Sequence, residues 1–272
     1  MASAMALALA SVRADLRVVT RVWLFTMKIF MVSDFFILTA VVQPIVFASI
    51  AFFLFRIGGD AAGEQTLLFA ALGTGMMGVW STTLFGGGGA IAWQRWEGTL
   101  ELLVGAPRRY DLTLLGQTLG TATFGFYSMI ATLAWGVLLF GMPLEANYPL
   151  MLPLALLVAV LGLGVMGMLL ATTFVLYRHA NALSNLLEYP VWIATGMIVP
   201  LALLPGWLGP ISWVLVPTWG VEAIRGAAIG AEPPWLAIGM NLVLAVIYYV
   251  LARRILVYVM DKARRDATLS LA

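Results

Sequence analysis

Few side chains in this sequence are of types that carry out chemistry. There is no cysteine and only one histidine, His179, so disulfide frameworks, thiol nucleophiles and Cys/His metal sites are excluded or nearly so. The run Gly86 to Gly89 is not followed by the Lys-Ser/Thr pair of a phosphate-binding loop and lies in an apolar stretch. It therefore cannot cradle a nucleotide as such a loop does. The side chains that could still take part in chemistry are a few carboxylates and cations.

Two of these carboxylates, Glu97 and Glu101, lie four residues apart in segment 94–117, which holds six of the charged side chains. At this spacing they stack on one flank of a helix. An apolar stripe runs beside them, made of Trp96, Leu100, Leu103 and Val104. We predict a short amphipathic helix over 95–106, which is marginal alone in water and favours a docking element held by other protein. The alternative is an ordinary cytoplasmic loop whose charges keep it hydrated.

Glu188 is the acidic residue that we place inside a membrane span. A charge at the centre of a membrane helix costs about 2.5–3.5 kcal/mol on insertion scales, so such residues usually meet water or a partner. One interpretation is that Glu188 lines a pathway and favours cationic or polar substrates. The other is that it pairs structurally, with Arg178 or His179, or is neutral there.

Glu222 and Arg225 lie three residues apart on one predicted helical face, where they could pair with each other or gate an exit. They belong to a stretch, 204–232, that proline and glycine break too often for a full span and that is too apolar for a free loop. We predict short re-entrant helices here that dip into the membrane from the outside.

The composition indicates which kind of structural element positions these side chains. Hydrophobic residues make up 62% and charged residues 10%, against roughly 45–50% and 25% in soluble proteins. This indicates an all-α, polytopic membrane protein with a single transmembrane domain over 1–272. Six stretches are long and apolar enough to span about 30 Å of hydrocarbon: 35–55, 67–93, 118–140, 149–177, 182–203 and 235–252.

The basic residues predict the orientation of these spans. With both termini inside, 13 of the 15 basic side chains are cytoplasmic and only Arg56 and Arg225 are outside, as the positive-inside rule requires. This orientation also places 94–117 in the cytoplasm. The net charge of +2 follows from this topology and does not indicate nucleic acid. The first ten residues lack the basic start of a secretory signal.

The segment before the first span is predicted to be an interfacial helix over 11–32. Four cations fall within about 80° on a helical wheel: Arg13, Arg17, Arg21 and Lys28. Such a helix can lie in the membrane interface, with its cations at anionic lipid headgroups. The alternative is a simple positive-inside anchor.

Two motifs resemble those of a known family. The string RWEGTLELL, Arg95 to Leu103, is followed by Ala106-Pro107 and then by Leu115-Gly116-Gln117. It resembles the pattern after the second span of type-2 ABC export permeases, except that Gln117 stands where many members have lysine. Segment 177–226 is similar to that family's fifth span and the re-entrant helices after it.

The resemblance implies the transmembrane half of an ATP-driven exporter. The segment after span two would be its coupling helix, with ATPase-docking residues at Arg95, Trp96, Glu97, Gly98, Leu100 and Glu101. The chain itself would hold no cofactor, because ATP and Mg would bind to two copies of a separate ATPase subunit. A second permease, identical or homologous, would complete the transporter in a bacterial cytoplasmic membrane. We expect a drug or lipid-like substrate.

Other classes of protein were weighed. A secondary transporter would be expected to show an internal repeat. The sequence shows no convincing repeat between residues 35–140 and residues 150–252. An intramembrane enzyme would need several polar groups at membrane depth, where only Glu188 is available. A membrane assembly protein without transport stays open.

Overall fold

The computed structural model describes residues 2–33, 42–57, 64–106, 109–141, 146–174 and 180–265. These residues form α-helices joined by short turns, and the described ranges contain no β-strand. The prediction of an all-α fold is confirmed. The helices in chain order are α1 Ala2–Val32, α2 Gln43–Ile57, α3 Glu64–Thr82, α4 Ala90–Trp96, α5 Leu100–Gly105, α6 Tyr110–Phe140, α7 Met151–Phe174, α8 Ala180–Ala194, α9 Gly209–Val214, α10 Val216–Ile229 and α11 Trp235–Arg265.

Four helical segments in the described ranges are long and apolar enough to cross a membrane: Leu67–Gly87, Tyr110–Phe140, Met151–Phe174 and Trp235–Asp261. They overlap four of the six predicted spans, and they make this a polytopic membrane protein. The predicted span 35–55 begins outside the described residues, and its described part contains a shorter apolar helix, Gln43–Phe53.

The predicted span 182–203 differs from the structure, because α8 ends at Ala194. Gly196 adopts a left-handed φ of 76°, which glycine reaches at little steric cost. Its N–H bonds the carbonyl of Ile193, and the N–H of Met197 bonds the carbonyl of Trp192, both at 3.1 Å. This Schellman pattern closes the helix, and the chain then continues through turns and a short 3-10 helix, Leu201–Leu203.

The segment that follows α3 departs from α-helical geometry. Thr83–Gly87 forms a π-helical turn, a feature that often marks functional positions. A Cβ on Gly87 would lie 3.1 Å from the Thr121 hydroxyl and 3.4 Å from the Cα of Gly167. The absence of a side chain at Gly87 thus permits close approach of α6 and α7 to this turn.

Helix α1 lies against α6 and begins at Ala2, so it is longer than the predicted 11–32. Small residues on α6 admit it: a Cβ on Gly116 would meet the carbonyl of Val19 at 2.7 Å, and one on Gly120 would meet Thr26 at the same distance. The Trp23 indole donates to the Thr123 hydroxyl at 2.9 Å. The predicted interfacial cations, Arg13, Arg17, Arg21 and Lys28, are all exposed.

Candidate functional site

The chain leaves α3 through a bent segment, residues 90–106, that we call the elbow. It consists of α4 and α5 joined at Gly98, which has a φ of 69°. The Gly98 N–H bonds the Arg95 carbonyl at 3.0 Å, and the Thr99 N–H bonds the Gln94 carbonyl at 2.9 Å. This Schellman closure ends α4. The single helix predicted over 95–106 is therefore two short helices in the structure.

The break at Gly98 changes which residues of the elbow face inward. Leu100 is only 3% exposed and packs with Ile91, Tyr110 and Leu256. Leu103 and Val104 are half-buried against the same cluster. Trp96 was predicted on one apolar stripe with Leu100, Leu103 and Val104, but it precedes the turn, does not share their buried face and is 80% exposed.

A polar network holds the base of the elbow. The Gln94 amide donates to the side-chain oxygen of Gln117 at 2.5 Å. The Tyr110 hydroxyl donates to the side-chain oxygen of Gln94, also at 2.5 Å. Buried polar side chains of this kind must find partners, and a satisfied network makes the local structure more rigid. Gln117, to which the sequence assigned no role, thus connects α6 to the elbow.

The outer surface of the elbow is both apolar and acidic. Trp96 and Leu102 are exposed, and Glu97 and Glu101 are exposed beside them. The Trp93 and Trp96 rings contact edge to face with centroids 5.3 Å apart. Arg95 is half-buried, and its Nε atom has no hydrogen-bond partner among the described residues. An apolar patch rimmed by carboxylates has the composition of a protein-docking surface.

An ion network that sequence reasoning missed lies beside the elbow. The carboxylate of Asp111 is nearly buried and contacts Arg109 at 2.5 Å and Arg253 at 3.4 Å. Arg109 also lies 3.8 Å from Asp15 of α1. The hydrogen bonds that Arg109 donates to Asp111 raise the pKa of Arg109 above its usual value, so this guanidinium stays charged. The contacts join α1, α6 and α11, which lie far apart in the sequence and gave no local signal.

Glu188 is half-buried on α8 and is bonded to α3. The Ser81 hydroxyl donates to its Oε1 at 2.7 Å. Arg178 and His179, the partners considered from the sequence, lie outside the described residues. The structure therefore provides Glu188 with a neutral partner that the sequence did not suggest.

Arg225 is buried and bonded to backbone carbonyls. Its Nη1 donates to Gly196 at 2.5 Å, and its Nη2 donates to Met197 at 2.9 Å and Phe69 at 3.1 Å. The guanidinium also lies over the Phe69 ring, 3.5 Å from the centroid. No ion pair joins it to Glu222 among the described side chains. Arg225 thus anchors α10 to the turn after α8 and to α3.

The elbow, Glu188 and Arg225 all lie within one stretch that matches a known family. Residues 17–229 match the family model described as ABC-2 type transporter. The matched stretch covers well over half of the 272 residues. No curated protein matches the chain.

Proposed function

We propose a function from one premise: this chain belongs to the ABC-2 type transporter family and is a membrane permease of that class. The finer proposal is that it is the permease subunit of an ATP-driven exporter. The observation that supports this proposal is the elbow. Its outer surface exposes Trp96, Leu102, Glu97 and Glu101, and its base is fixed by buried Leu100. An ATPase of the same transporter is the partner that we assign to this surface.

The base of the elbow supports a mechanical role. Leu100 belongs to one buried apolar cluster that also contains Leu114 of α6, Met168 of α7 and Leu256 of α11. Because close-packed interiors transmit displacement rather than absorb it, movement of the elbow would move the ends of these helices together. We propose that ATP-driven closure of the ATPases pushes the elbows and converts the pathway from inward-open to outward-open.

The assembly that we propose contains two permeases, identical or homologous, and two copies of a separate ATPase subunit. ATP and Mg bind to that subunit, and this chain contributes the pathway and the docking surface. Both termini and the elbow lie on the cytoplasmic side of a bacterial inner membrane, in agreement with the distribution of basic residues in the sequence. The exposed cations of α1 face the lipid headgroups.

The cargo that we propose is a lipophilic drug or a lipid-like molecule. Apolar side chains dominate the helices, with 14 methionines and ten tryptophans in the sequence. Methionine adapts to differently shaped apolar ligands. This composition suits an apolar cargo, although membrane helices also use these residues for packing.

The docking proposal is tested by reversing charge on the elbow. Glu97→Lys with Glu101→Lys replaces two exposed carboxylates by cations, so the variant should remain in the membrane but lose its ATPase. The measurement is co-purification of an ABC ATPase co-expressed with this chain, together with vanadate-sensitive ATP hydrolysis by the complex. We expect both to fall at least about tenfold, since each lost charged contact at an interface costs about 1.4 kcal/mol or more.

The matched control reverses two exposed carboxylates elsewhere, Glu232→Lys with Asp261→Lys. It changes the net charge by the same amount and should leave ATPase binding unchanged. Full ATPase binding by the elbow variant would contradict the docking assignment. Failure of any ATPase to associate with the unaltered chain would favour a stand-alone transporter or an assembly protein instead.

A further inference from the structure

One carboxylate, Glu188, lies where α8 contacts α3 and the π-helical turn that follows it. Glu188 on α8 accepts a hydrogen bond from Ser81 near the end of α3, immediately before the π-helical turn Thr83–Gly87. Its second oxygen, Oε2, accepts no hydrogen bond from a described residue, and no described lysine or arginine forms an ion pair with it. Ionisable groups within membrane segments are costly, and those that persist mark substrate or ion sites by default.

Aromatic rings lie next to this carboxylate. Trp192 follows Glu188 by four residues on α8, so the two side chains share one face of the helix. The Trp192 ring contacts Tyr189 at 5.0 Å and Phe47 of α2 at 6.5 Å. The Trp192 indole N–H is buried and has no hydrogen-bond partner among the described residues. A bound molecule could therefore use the carboxylate, the ring faces and one free donor.

The carboxylate can be reached from outside the helix bundle. Glu188 is half-buried, while Leu186 and Tyr189 on either side are 66% and 61% exposed. A purely structural helix-to-helix hydrogen bond would need neither this exposure nor an ionisable acceptor, because serine bonds a neutral amide equally well. The Ser81 hydroxyl orients one oxygen, and the other has no partner in the part of the chain that the structure describes.

We propose that Glu188, oriented by Ser81 and flanked by Tyr189 and Trp192, binds lipophilic organic cations. A carboxylate attracts a cation, and the negative faces of aromatic rings attract it further while accommodating its apolar body. Both features repel an anion of the same shape. This proposal rests on the proposed function, because it treats the Glu188 site as part of the transport pathway. It narrows the proposed cargo from lipophilic molecules in general to cationic amphiphiles.

Equilibrium binding of radiolabelled tetraphenylphosphonium to the full-length chain in lipid nanodiscs tests the site, with empty nanodiscs subtracted. Glu188→Gln keeps the size of the side chain and its acceptor for Ser81 but removes the charge. We expect it to weaken binding at least about tenfold. Glu188→Asp retains the charge and should bind more tightly than Glu188→Gln. Ser81→Ala should weaken binding only a few-fold, because it removes orientation and not charge.

The matched control is Glu232→Gln, which removes an exposed carboxylate outside the site and should bind as the unaltered chain does. The proposal is overturned if Glu188→Gln binds the cation normally, if Glu188→Asp is as weak as Glu188→Gln, or if Glu232→Gln loses as much. The assay contains no ATPase, so its outcome is independent of whether the elbow docks one.

Discussion

At the scale of single residues, Arg225 acts as an anchor that only a guanidinium can provide. Its planar group reaches three carbonyls on two other segments and stacks on Phe69. Lysine offers a point charge and lacks this fixed fork. The structure thus favours an anchoring role over the pairing with Glu222 that the sequence suggested, because the guanidinium donates to Gly196 and Met197 after α8 and forms no ion pair with a described carboxylate.

Arg225→Lys should therefore lower the thermal unfolding midpoint of the purified chain. Loss of one or two charge-assisted hydrogen bonds costs about 1.5–3 kcal/mol each, which corresponds to a fall on the order of 5 °C for a chain of this size. Glu222→Gln is the comparison, and it should shift the midpoint little. An equal fall in both variants would show that the two residues act as a pair.

Some of these residues could be predicted from the sequence and others could not. Glu188 was recognisable because a charge in an apolar span is conspicuous, whereas its partner Ser81 was not, since serine is common in membrane helices. Asp111 was overlooked for a different reason: although Arg109 is a neighbour in sequence, Arg253, and Asp15 on the other side of Arg109, come from distant parts of the chain. Contacts between distant segments depend on tertiary packing, for which a single sequence carries no local signal.

At the scale of elements, glycines with left-handed backbone decide where helices end. Periodicity predicted a continuous helix over 95–106 and a span to residue 203, because it records only which positions are apolar. The structure closes α4 at Gly98 and α8 before Gly196. Long apolar segments were predictable from hydropathy alone, but their ends were not, because glycine is also common inside membrane helices.

Gly98→Ala should weaken ATPase binding by straining the elbow. An L-residue in the left-handed region costs about 1–2 kcal/mol, and relief of that strain would turn Trp96 and Glu97 away from their positions. We expect an affinity loss on the order of tenfold, measured by titrating the ATPase onto the immobilised permease. No described atom lies within 4 Å of the added Cβ, so the effect would come from the backbone.

Gly105→Ala provides the control for this strain. Gly105 lies in the same elbow, has no positive φ, and also has open space around an added Cβ. The two substitutions add the same methyl group, and only the backbone conformation differs. If both variants bound the ATPase as tightly as the unaltered chain, the geometry of the turn at Gly98 would not matter for docking.

At the scale of the whole molecule, one segment connects the elbow, the contact with Glu188 and the Arg225 anchor. Residues 64–106 carry Phe69 at the Arg225 anchor, then Ser81 beside Glu188, then the π-helical turn and the elbow. A displacement of the elbow would therefore reach Ser81 within one continuous segment, and it would cross only the contact between α3 and α8 to reach Glu188. The π-helical turn between them is the place where that segment is least regular.

This arrangement requires the elbow to face the compartment that contains the ATPase. Because the chain has no cysteine, single-cysteine variants can test this directly. Leu102→Cys in the elbow and Asp261→Cys near the end of α11 occupy exposed positions, as does Glu232→Cys before α11. In the orientation that we propose from the basic residues, a membrane-impermeant maleimide should label residue 232 in intact cells. It should label residues 102 and 261 only after permeabilisation, and the cysteine-free chain not at all. Labelling of residue 102 from outside would place the elbow beyond the reach of a cytoplasmic ATPase and remove the basis for coupled export.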